Sequence, residues 1–418
     1  MHALSMGPVA FVAIALASCP AVAATYTASE LTYDAALLSQ FNLINLGAYN
    51  VEPGNTGAVY VSGRVVAGSV TTGSNGMGNC VSGCSGNTTI GASSSITNGV
   101  TTPGTGNPAY GALTVFGNVV GNVASSSTGA ASTINVGGTL SGSASAASGT
   151  FGRAGGISGA NLDSVNVVGT ISSTSAIRDT PTFNSSQTGS NAGVGRNTNV
   201  TTTNTGVSAS TVFPFAAEST AFTTPLKSLY SGIANLPGTP GVTAQTLPSN
   251  YTGGAFASTT AYTSVVGTTT YKYGVVTTTL ANLAAQSSAF TGITNGAGNN
   301  ATFVIVTGDT GTLPTITNGG SNVIYDFVSA GTLTTAGNFN ASILAPLANI
   351  VNTTGNINGT VVVASMTESQ ALYNTNVFTG DLTGLRNLTY NSRVPEPASL
   401  ALIGVGVVAA AIARRRRK

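Results

Sequence analysis

Short stretches of alternating apolar and polar residues recur along the first half of the chain. Four share one pattern, with apolar residues at positions one, three and seven and glycine at position five: Val59–Val65, Leu113–Val119, Ile134–Leu140 and Val165–Ile171. A period of two places successive side chains on opposite faces of a β-strand. The shared glycine indicates a bend in the strand or a close approach of a second backbone.

The spacing of these glycines predicts how the strands are arranged. Gly117 and Gly138 are 21 residues apart, and Gly138 and Gly169 are 31 apart. Periods in this range are typical of the stacked coils of a β-solenoid. The alternative is a β-sandwich with long loops. We therefore predict a mainly β fold, a β-solenoid or β-helix-like domain with one or two helices packed on it.

Further elements are predicted in the rest of the chain. Apolar runs predict strands at 303–306, 323–328, 343–351 and 357–364. Residues 29–41 have a helical period, with Ser29 as candidate N-cap and an apolar stripe of Leu31, Ala35, Leu38 and Phe41. Residues 224–236 also have a helical period, with Thr224 as cap, Pro225 in the first turn and a stripe of Leu226, Leu229, Ile233 and Leu236. We interpret both stripes as packing faces against a sheet.

The N-terminus has the features of an export signal. Residues 9–18 are an apolar run, and the small residues 21–24 that follow suit signal peptidase, so we predict a signal peptide at 1–24. The segment before the run contains neither lysine nor arginine. In an alternative interpretation, Leu16–Cys19 is a lipoprotein box and Cys19 is the lipidated N-terminus.

The C-terminus, residues 394–418, combines a proline-rich motif, an apolar run and a basic cluster. Residues 398–413 are uncharged and would span about 24 Å as a helix, short for a hydrocarbon core of about 30 Å. The cations that follow would hold the end of this transmembrane helix in the cytoplasm: Arg414, Arg415, Arg416, Arg417 and Lys418. The alternative, a buried C-terminal helix, gives no reason for this cluster.

This tail resembles the PEP-CTERM sorting signal of exported bacterial proteins. The resemblance rests on the motif Val394, Pro395, Glu396 and Pro397, followed in order by the apolar run and the basic cluster. It implies a partner, a membrane protease of the exosortase type that cuts near this motif. It also implies transient anchoring in the inner membrane and then release to the cell surface or extracellular matrix.

Net charge and the histidine content restrict the functions that the predicted body, residues 25–393, can have. Only 6% of residues are charged, and the net charge of +2 comes from the five C-terminal cations. The body therefore has no basic stripe for phosphates, which excludes nucleic acid as a partner. The single histidine, His2, lies in the predicted signal, so the mature protein has no histidine for a catalytic triad or a metal site.

Two cysteines remain in the body, Cys80 and Cys84. An oxidising destination favours a disulfide between them, which would close a small loop. A metal site would need two further ligands, and no other cysteine remains in the body. We predict the disulfide and no metal or other cofactor.

Two regions of the body resemble the choice-of-anchor A domain of bacterial surface proteins. They are residues 41–70 and 323–381, and the resemblance rests on Phe41–Ile44, Asn340–Pro346, Gly355–Gly359 and Phe378–Asp381. That family is regarded as adhesive and has no assigned catalytic residues. The resemblance implies a single β-rich surface domain over residues 25–393.

Binding suits the composition better than catalysis. The acids are scattered, whereas glycoside hydrolysis needs a pair of carboxylates. Folding could bring Asp309 and Asp326 together, but we interpret each as an isolated exposed carboxylate. Threonine clusters at 201–203, 268–270 and 277–279 raise the idea of ice binding, but no regular Thr-x-Thr ladder is visible, and we attribute them to strand propensity. Sortase-like strings at 236–240 and 313–317 are interpreted as turns.

We therefore predict an exported, surface-displayed, non-catalytic adhesin or component of the biofilm matrix. Its partner would be an exopolysaccharide or another cell-surface ligand. The alternative is a polysaccharide-active enzyme on a β-helix scaffold that acts without histidine.

Overall fold

The structure, a computed structural model, is mainly β, with a large parallel sheet and few helices. This confirms the predicted fold class at that level. The structure describes residues 22–51, 61–72, 215–329, 331–352 and 354–392, together with residue 213 and the short segments 89–90, 113–121, 123–127, 134–141, 143–148, 164–169, 176–178, 182–184, 193–194 and 203–204.

The strands are short and fall into two groups along the chain. The N-terminal group comprises β1 (Val22–Thr25), β2 (Phe41–Val51), β3 (Arg64–Thr71), β4 (Thr89–Ile90), β5 (Leu113–Val115), β6 (Val119–Val120), β7 (Val123–Ser127), β8 (Ile134–Val136), β9 (Leu140–Ser141), β10 (Ser143–Ser148), β11 (Ser164–Val167), β12 (Ala176–Arg178), β13 (Thr182–Asn184), β14 (Gly193–Val194) and β15 (Thr203–Asn204). The C-terminal group comprises β16 (Gln245–Thr246), β17 (Ala255–Ala257), β18 (Thr260–Val266), β19 (Thr269–Thr279), β20 (Gly292–Thr294), β21 (Ala301–Thr307), β22 (Thr310–Leu313), β23 (Val323–Phe327), β24 (Thr332–Thr335), β25 (Ser342–Asn352), β26 (Ile357–Asn358), β27 (Val361–Glu368), β28 (Leu372–Tyr373) and β29 (Thr389–Ser392). The predicted strands of the C-terminal half are confirmed, except that 357–364 divides into β26 and β27.

Helix α1 (Ala28–Gln40) begins earlier than predicted. Its N-cap is Thr27, because the Thr27 hydroxyl accepts a hydrogen bond from the Glu30 backbone N–H at 3.2 Å while the Glu30 carboxylate accepts one from the Thr27 N–H at 2.8 Å. This reciprocal capping box satisfies two donors of the first turn. The prediction of Ser29 as cap was therefore wrong.

Helix α2 (Phe215–Asn235) is longer than the predicted helix. Its first turns precede Thr224, so Thr224 is not a cap and Pro225 lies in the helix interior, where proline normally costs about 3 kcal/mol. The predicted stripe is buried, with Leu226, Leu229 and Ile233 at 0–1% exposure. Packing of this stripe offsets the proline. A short helix, α3 (Leu280–Ala284), and two 3₁₀ helices, Leu236–Gly238 and Thr383–Asn387, complete the described helices.

Nearly all described strand pairs are parallel, and they form three stacks. Stack A runs in the order β19, β21, β23, β25, β27, β2, β3, β5, β8, β11, β13, β15. Stack B contains β22, β24, the C-terminal halves of β25, β27, β2 and β3, then β6 and β9. Stack C contains β4, β7, β10, β12 and β14 in one half, and β17, β20, β26 and β28 in the other. A β-sandwich is antiparallel, so this pairing disfavours that alternative.

The first strand of the chain to join stack A lies in the middle of that stack. β2, the first strand of the sheet, lies between β27 from the C-terminal half and β3 from the N-terminal half. The Asn42 side chain also donates to the Gly359 carbonyl across this junction. The antiparallel pair of β1 with β29 brings the two ends of the described body together.

A column of glycines marks the corner between stacks A and B. A Cβ on Gly117 would lie 2.6 Å from the Gly68 carbonyl oxygen, and one on Gly169 would lie 2.5 Å from the Gly138 backbone. This confirms the predicted close approach for Gly117, Gly138 and Gly169. Gly63 lies in a bend, and its Cβ would lie 2.7 Å from the Asn42 Cβ on β2, but Gly68 rather than Gly63 stacks on Gly117.

Two apolar layers hold the fold together. One lies inside the stacks and includes Tyr49, Val304, Tyr325 and Phe339. The second lies between stack A and the helices, where Ile44, Val66, Ile324, Leu344 and Val362 meet the buried residues of α1 and α2. The helices thus cover stack A from β19 to β3. None of the described helices is long and apolar enough to cross a membrane.

Candidate binding surface

Stack B presents its outward side chains in rows, and we call this surface face B. In register across eight strands, one row contains Thr312, Thr334, Val351, Thr367, Asn50, Thr71, Val120 and Ser141. A second, shorter row contains Thr310, Thr332, Asn349 and Ser365. At about 4.8 Å per strand the longer row extends over about 34 Å.

Alternation along each strand fixes these side chains outward. Leu313, Leu333 and Ile350, which alternate with the row residues, have 0% exposure and belong to the inner core. A slip of one residue would bury the hydroxyls and expose the leucines, so the register is strongly specified. Neighbouring row residues also bond to each other: the Thr312 and Thr334 hydroxyls are 3.1 Å apart, and the Ser365 hydroxyl donates to Asn349 Oδ1 at 2.9 Å.

Face B is polar but uncharged. Neither row contains Asp, Glu, Lys or Arg, and the Val120 side chain is 45% exposed within it. The sequence did not predict the threonines of this face. Their only signal is a Thr-x-Thr motif that occurs at 310–312 and again 22 residues later at 332–334. The threonine cluster at 277–279 lies at the end of β19, which agrees with the attribution of these clusters to strand propensity.

Several of the described acids are buried. Asp34, Asp326 and Glu368 each have 0% exposure, and the carboxylate oxygens of Asp34 and Asp326 have no hydrogen-bond partner. Burial raises the pKa of Asp34 to about 8, with a further contribution from Glu30, and it raises the pKa of Asp326 well above its usual range. Asp309 is exposed in the loop between β21 and β22. The expectation of isolated exposed carboxylates is therefore wrong for Asp326, because its position on β23 lies under the helical layer.

Glu368 and Arg64 are both buried and hydrogen-bonded. The Tyr49 hydroxyl donates to Glu368, and burial raises the pKa of Glu368 to about 8. Arg64 has 2% exposure; its Nη1 donates to Gln40 at 3.1 Å, and burial lowers the pKa of its guanidinium to about 10. Both groups lie within the fold, so they add no charge to face B.

A groove of about 440 Å³ lies beside the C-terminal end of α2. Its polar lining comes from Thr246, Thr277, Thr278, Thr279, Asn282 and Thr307. No Asp or Glu lines it. Within the described residues, no three Cys, His, Asp or Glu side chains lie close enough together to hold a metal ion.

Several predicted sites lie outside the described residues. These are the signal peptide at 1–24 up to residue 21, the candidate disulfide between Cys80 and Cys84, and the tail with Val394, Pro395, Glu396, Pro397, Arg414, Arg415, Arg416, Arg417 and Lys418. The pairing of β1 with β29 places Ser392, two residues before this tail, beside Val22 at the start of the described body.

Comparison with known protein families gives two matches. Residues 112–374 match the family model described as "Putative Ice-binding-like adhesive domain", and residues 393–418 match the PEP-CTERM protein-sorting motif. The second match agrees with the resemblance of the tail, whereas neither match names choice-of-anchor A. Comparisons with curated proteins and with solved structures give no match.

Proposed function

The chain belongs to the ice-binding-like adhesive domain family, and from this premise we propose that it is an exported, non-catalytic adhesin whose ligand is a neutral exopolysaccharide of the matrix. The family match covers residues 112–374, and the sorting motif indicates export and sorting to the cell surface. The observation that carries the choice of ligand is face B, an uncharged row of hydroxyl, amide and small apolar side chains across eight strands.

The proposed architecture is a β-solenoid whose three sides are stacks A, B and C. Successive strands of the C-terminal half alternate between the stacks in chain order, as in β21, β22 and the bridge at Ile316. Each coil would then add one residue to each row of face B. Such stacking gives a ligand surface whose length grows with the number of coils.

The ligand class follows from the chemistry of the rows. Threonine and serine hydroxyls and asparagine amides both donate and accept hydrogen bonds, as sugar hydroxyls do. An acidic or basic polymer would find no counter-charge in the rows, so its binding would lack an electrostatic contribution. A neutral polymer is therefore the best-matched partner.

The adhesive and enzymatic alternatives separate in one experiment. The full chain, kept soluble in mild detergent, is incubated with neutral exopolysaccharide, and both retention on the polymer and new reducing or unsaturated ends are measured. Retention without new ends supports adhesion. New chain ends at a rate above that of a heat-denatured sample would overturn it in favour of the enzyme.

The sorting part of the proposal concerns the tail. An exosortase-type protease would cut the tail near Val394–Pro397, after the predicted helix 398–413 has anchored the precursor in the inner membrane. Deleting 394–418 should shift the exported protein from the membrane fraction to the soluble fraction. Unchanged fractionation would contradict transient anchoring by this segment.

Ice is a second candidate ligand, favoured by one local feature of face B. Thr310, Thr312, Thr332 and Thr334 form a block of four hydroxyls, about 4.8 Å apart across strands and about 6.7 Å apart along them. Beyond this block the rows change to Asn, Val and Ser, which is why we rank a polymer first. Partition into slowly grown ice no greater than that of serum albumin would exclude this candidate.

A further inference from the structure

Stack C carries a second polar surface, built from three similar tripeptides. They are Thr315-Ile316-Thr317, Asn338-Phe339-Asn340 and Asn356-Ile357-Asn358. Parallel bridges join Ile316 to Phe339 and Phe339 to Ile357, and these three central side chains have 0% exposure. The flanking residues therefore point outward in two rows, which we call face C. Because Thr315–Thr317 is part of this surface, the interpretation of 313–317 as a turn was wrong.

Hydrogen bonds fix the amides of the first row with their donors outward. Asn338 Oδ1 accepts from the Asn356 backbone N–H at 2.9 Å, and Asn356 Oδ1 accepts from the Ala371 N–H at 3.3 Å. Each oxygen is thus tied to the next strand, while Nδ2 of both residues donates to none of the described residues. One rung separates these donors, about 4.8 Å.

The second row is a chain of aligned amides. Asn358 Nδ2 donates to Asn340 Oδ1, and Asn340 Nδ2 donates to the Thr317 carbonyl at 3.2 Å. The chain ends at Asn358 Oδ1, which is buried and has no partner in the described part of the protein. A buried acceptor without a partner is costly, so this oxygen is the unsatisfied end of the chain of amides.

Charge and shape restrict what face C can bind. Its two rows contain no charged residue, so the matching ligand is neutral. The corner beside the rows is made by glycines: a Cβ on Gly355 would lie 2.2 Å from the Gly337 backbone, and one on Gly337 would lie 2.3 Å from the Thr315 hydroxyl. These glycines have no side chains that could project over the rows at this corner, so an extended polymer can lie along the rows.

Faces B and C belong to the same coils. Thr315 follows the end of β22 by two residues, and Asn338 follows the end of β24 by three. A second ligand surface therefore lies around the corner from the first, on a different side of the body.

We propose that face C binds a second chain of neutral polysaccharide, so that one molecule crosslinks two polymer chains. This inference rests on the proposed function, because face B must hold the first chain. It makes the protein a matrix organiser and not only an adhesin.

The test measures binding and crosslinking separately, with hydroxyethyl cellulose as the neutral probe. The full chain in mild detergent is assayed for retention on immobilised polymer and for its effect on the viscosity of a semidilute solution. N338D keeps the oxygen that accepts from Asn356 but replaces the outward donor by a negative charge. N250D is the charge-matched control, since Asn250 is exposed and belongs to neither face.

We expect the wild type and N250D to raise the viscosity equally. The retention of N338D on the immobilised polymer should stay within twofold of the wild-type value, because face B is intact. The rise in viscosity that N338D causes should be at least fivefold smaller than the rise caused by the wild type. T317V, which removes a hydroxyl of face C and keeps the side-chain shape, provides a second variant if N338D melts at a lower temperature.

Failure of the proposed ligand class and failure of face C as a second site give different results. If the wild type is not retained on the polymer, the proposed ligand class is wrong and the inference falls with it. If the wild type is retained but does not raise the viscosity, face C is not a second site, while the adhesin proposal stands. Equal crosslinking by N338D, T317V and N250D would also overturn the inference, because the bridging would then come from association of the protein itself.

Discussion

Glu368 is a buried carboxyl group whose replacement by glutamine should stabilise the protein in a pH-dependent way. Its side chain lies at 0% exposure on β27 and accepts a hydrogen bond from Tyr49 on the neighbouring strand β2. Asn352, its register partner on β25, lowers the pKa of Glu368 and partly offsets the effect of burial. Glutamine keeps an oxygen for the Tyr49 hydroxyl and removes the group that ionises.

The size of the effect follows from the shift in pKa. Burial raises the pKa of Glu368 from 4.5 to about 8, so the folded state holds a proton that the unfolded chain releases. The stability contributed by the neutral form is complete below pH 4.5 and is lost as the pH rises towards 8. At 1.36 kcal/mol per pKa unit, the wild type loses about 3–4 kcal/mol between pH 4.5 and 7.5 through this group.

The assay is denaturant unfolding of wild type and E368Q at both pH values. Other buried acids, such as Asp34, titrate in the same window, so the informative quantity is the difference between the two proteins. We expect E368Q to gain about 3–4 kcal/mol relative to the wild type between pH 4.5 and 7.5. D309N, which changes an exposed carboxyl to its amide, is the control and should change the free energy of unfolding by much less. A gap that stays constant within about 0.5 kcal/mol would refute the neutral, buried Glu368.

Two further predictions concern the corner and the first helix. G138A should lower the free energy of unfolding by about 1–3 kcal/mol, since its Cβ would lie 2.3 Å from Asn118 Oδ1 and 2.6 Å from the Gly117 backbone. G238A, with no atom within 4 Å of its Cβ, is the matched control, and equal melting temperatures for the two variants would contradict the glycine column. T27A should destabilise α1 by about 1 kcal/mol through loss of the capping box. T32A, on the same helix but outside the cap, should change stability by much less; equal losses in circular dichroism melts would count against the cap.

Local sequence patterns predicted most of the strands. Period-two alternation located β5, β8 and β11, because each strand has one face in the core. The glycines at 117, 138 and 169 could be predicted to approach another backbone, because nothing else explains glycine at the same place in an alternating strand. The choice of Gly63 in place of Gly68 shows the limit. Gly68 does not fit the pattern, because Arg64 would stand at position one, and only the register of β3 with β5 shows that Gly68 belongs to the column.

The arrangement of the strands could not be predicted in the same way. The insertion of β2 between β27 and β3 depends on contacts such as Asn42 with Gly359, which are 317 residues apart in the chain. Faces B and C were also missed. Their rows come from single residues in successive coils, so a threonine or asparagine ladder becomes visible only when the register is known. The sequence predicts α2 too short because proline usually marks the first turn of a helix. In α2 the burial of Leu226 and Leu229 outweighs the cost of a proline in the helix interior.

The most direct measurement of the central claim is the affinity of the full chain for a neutral polymer, compared between the wild type and T334D. Thr334 lies in the longer row of face B and contacts Thr312, so the aspartate would place a charge against the bound polymer. The account predicts a wild-type affinity that changes less than twofold between low and high salt, and a loss of at least tenfold in T334D but not in N250D. Equal affinity of T334D and wild type, or binding by the wild type that disappears at high salt, would contradict it.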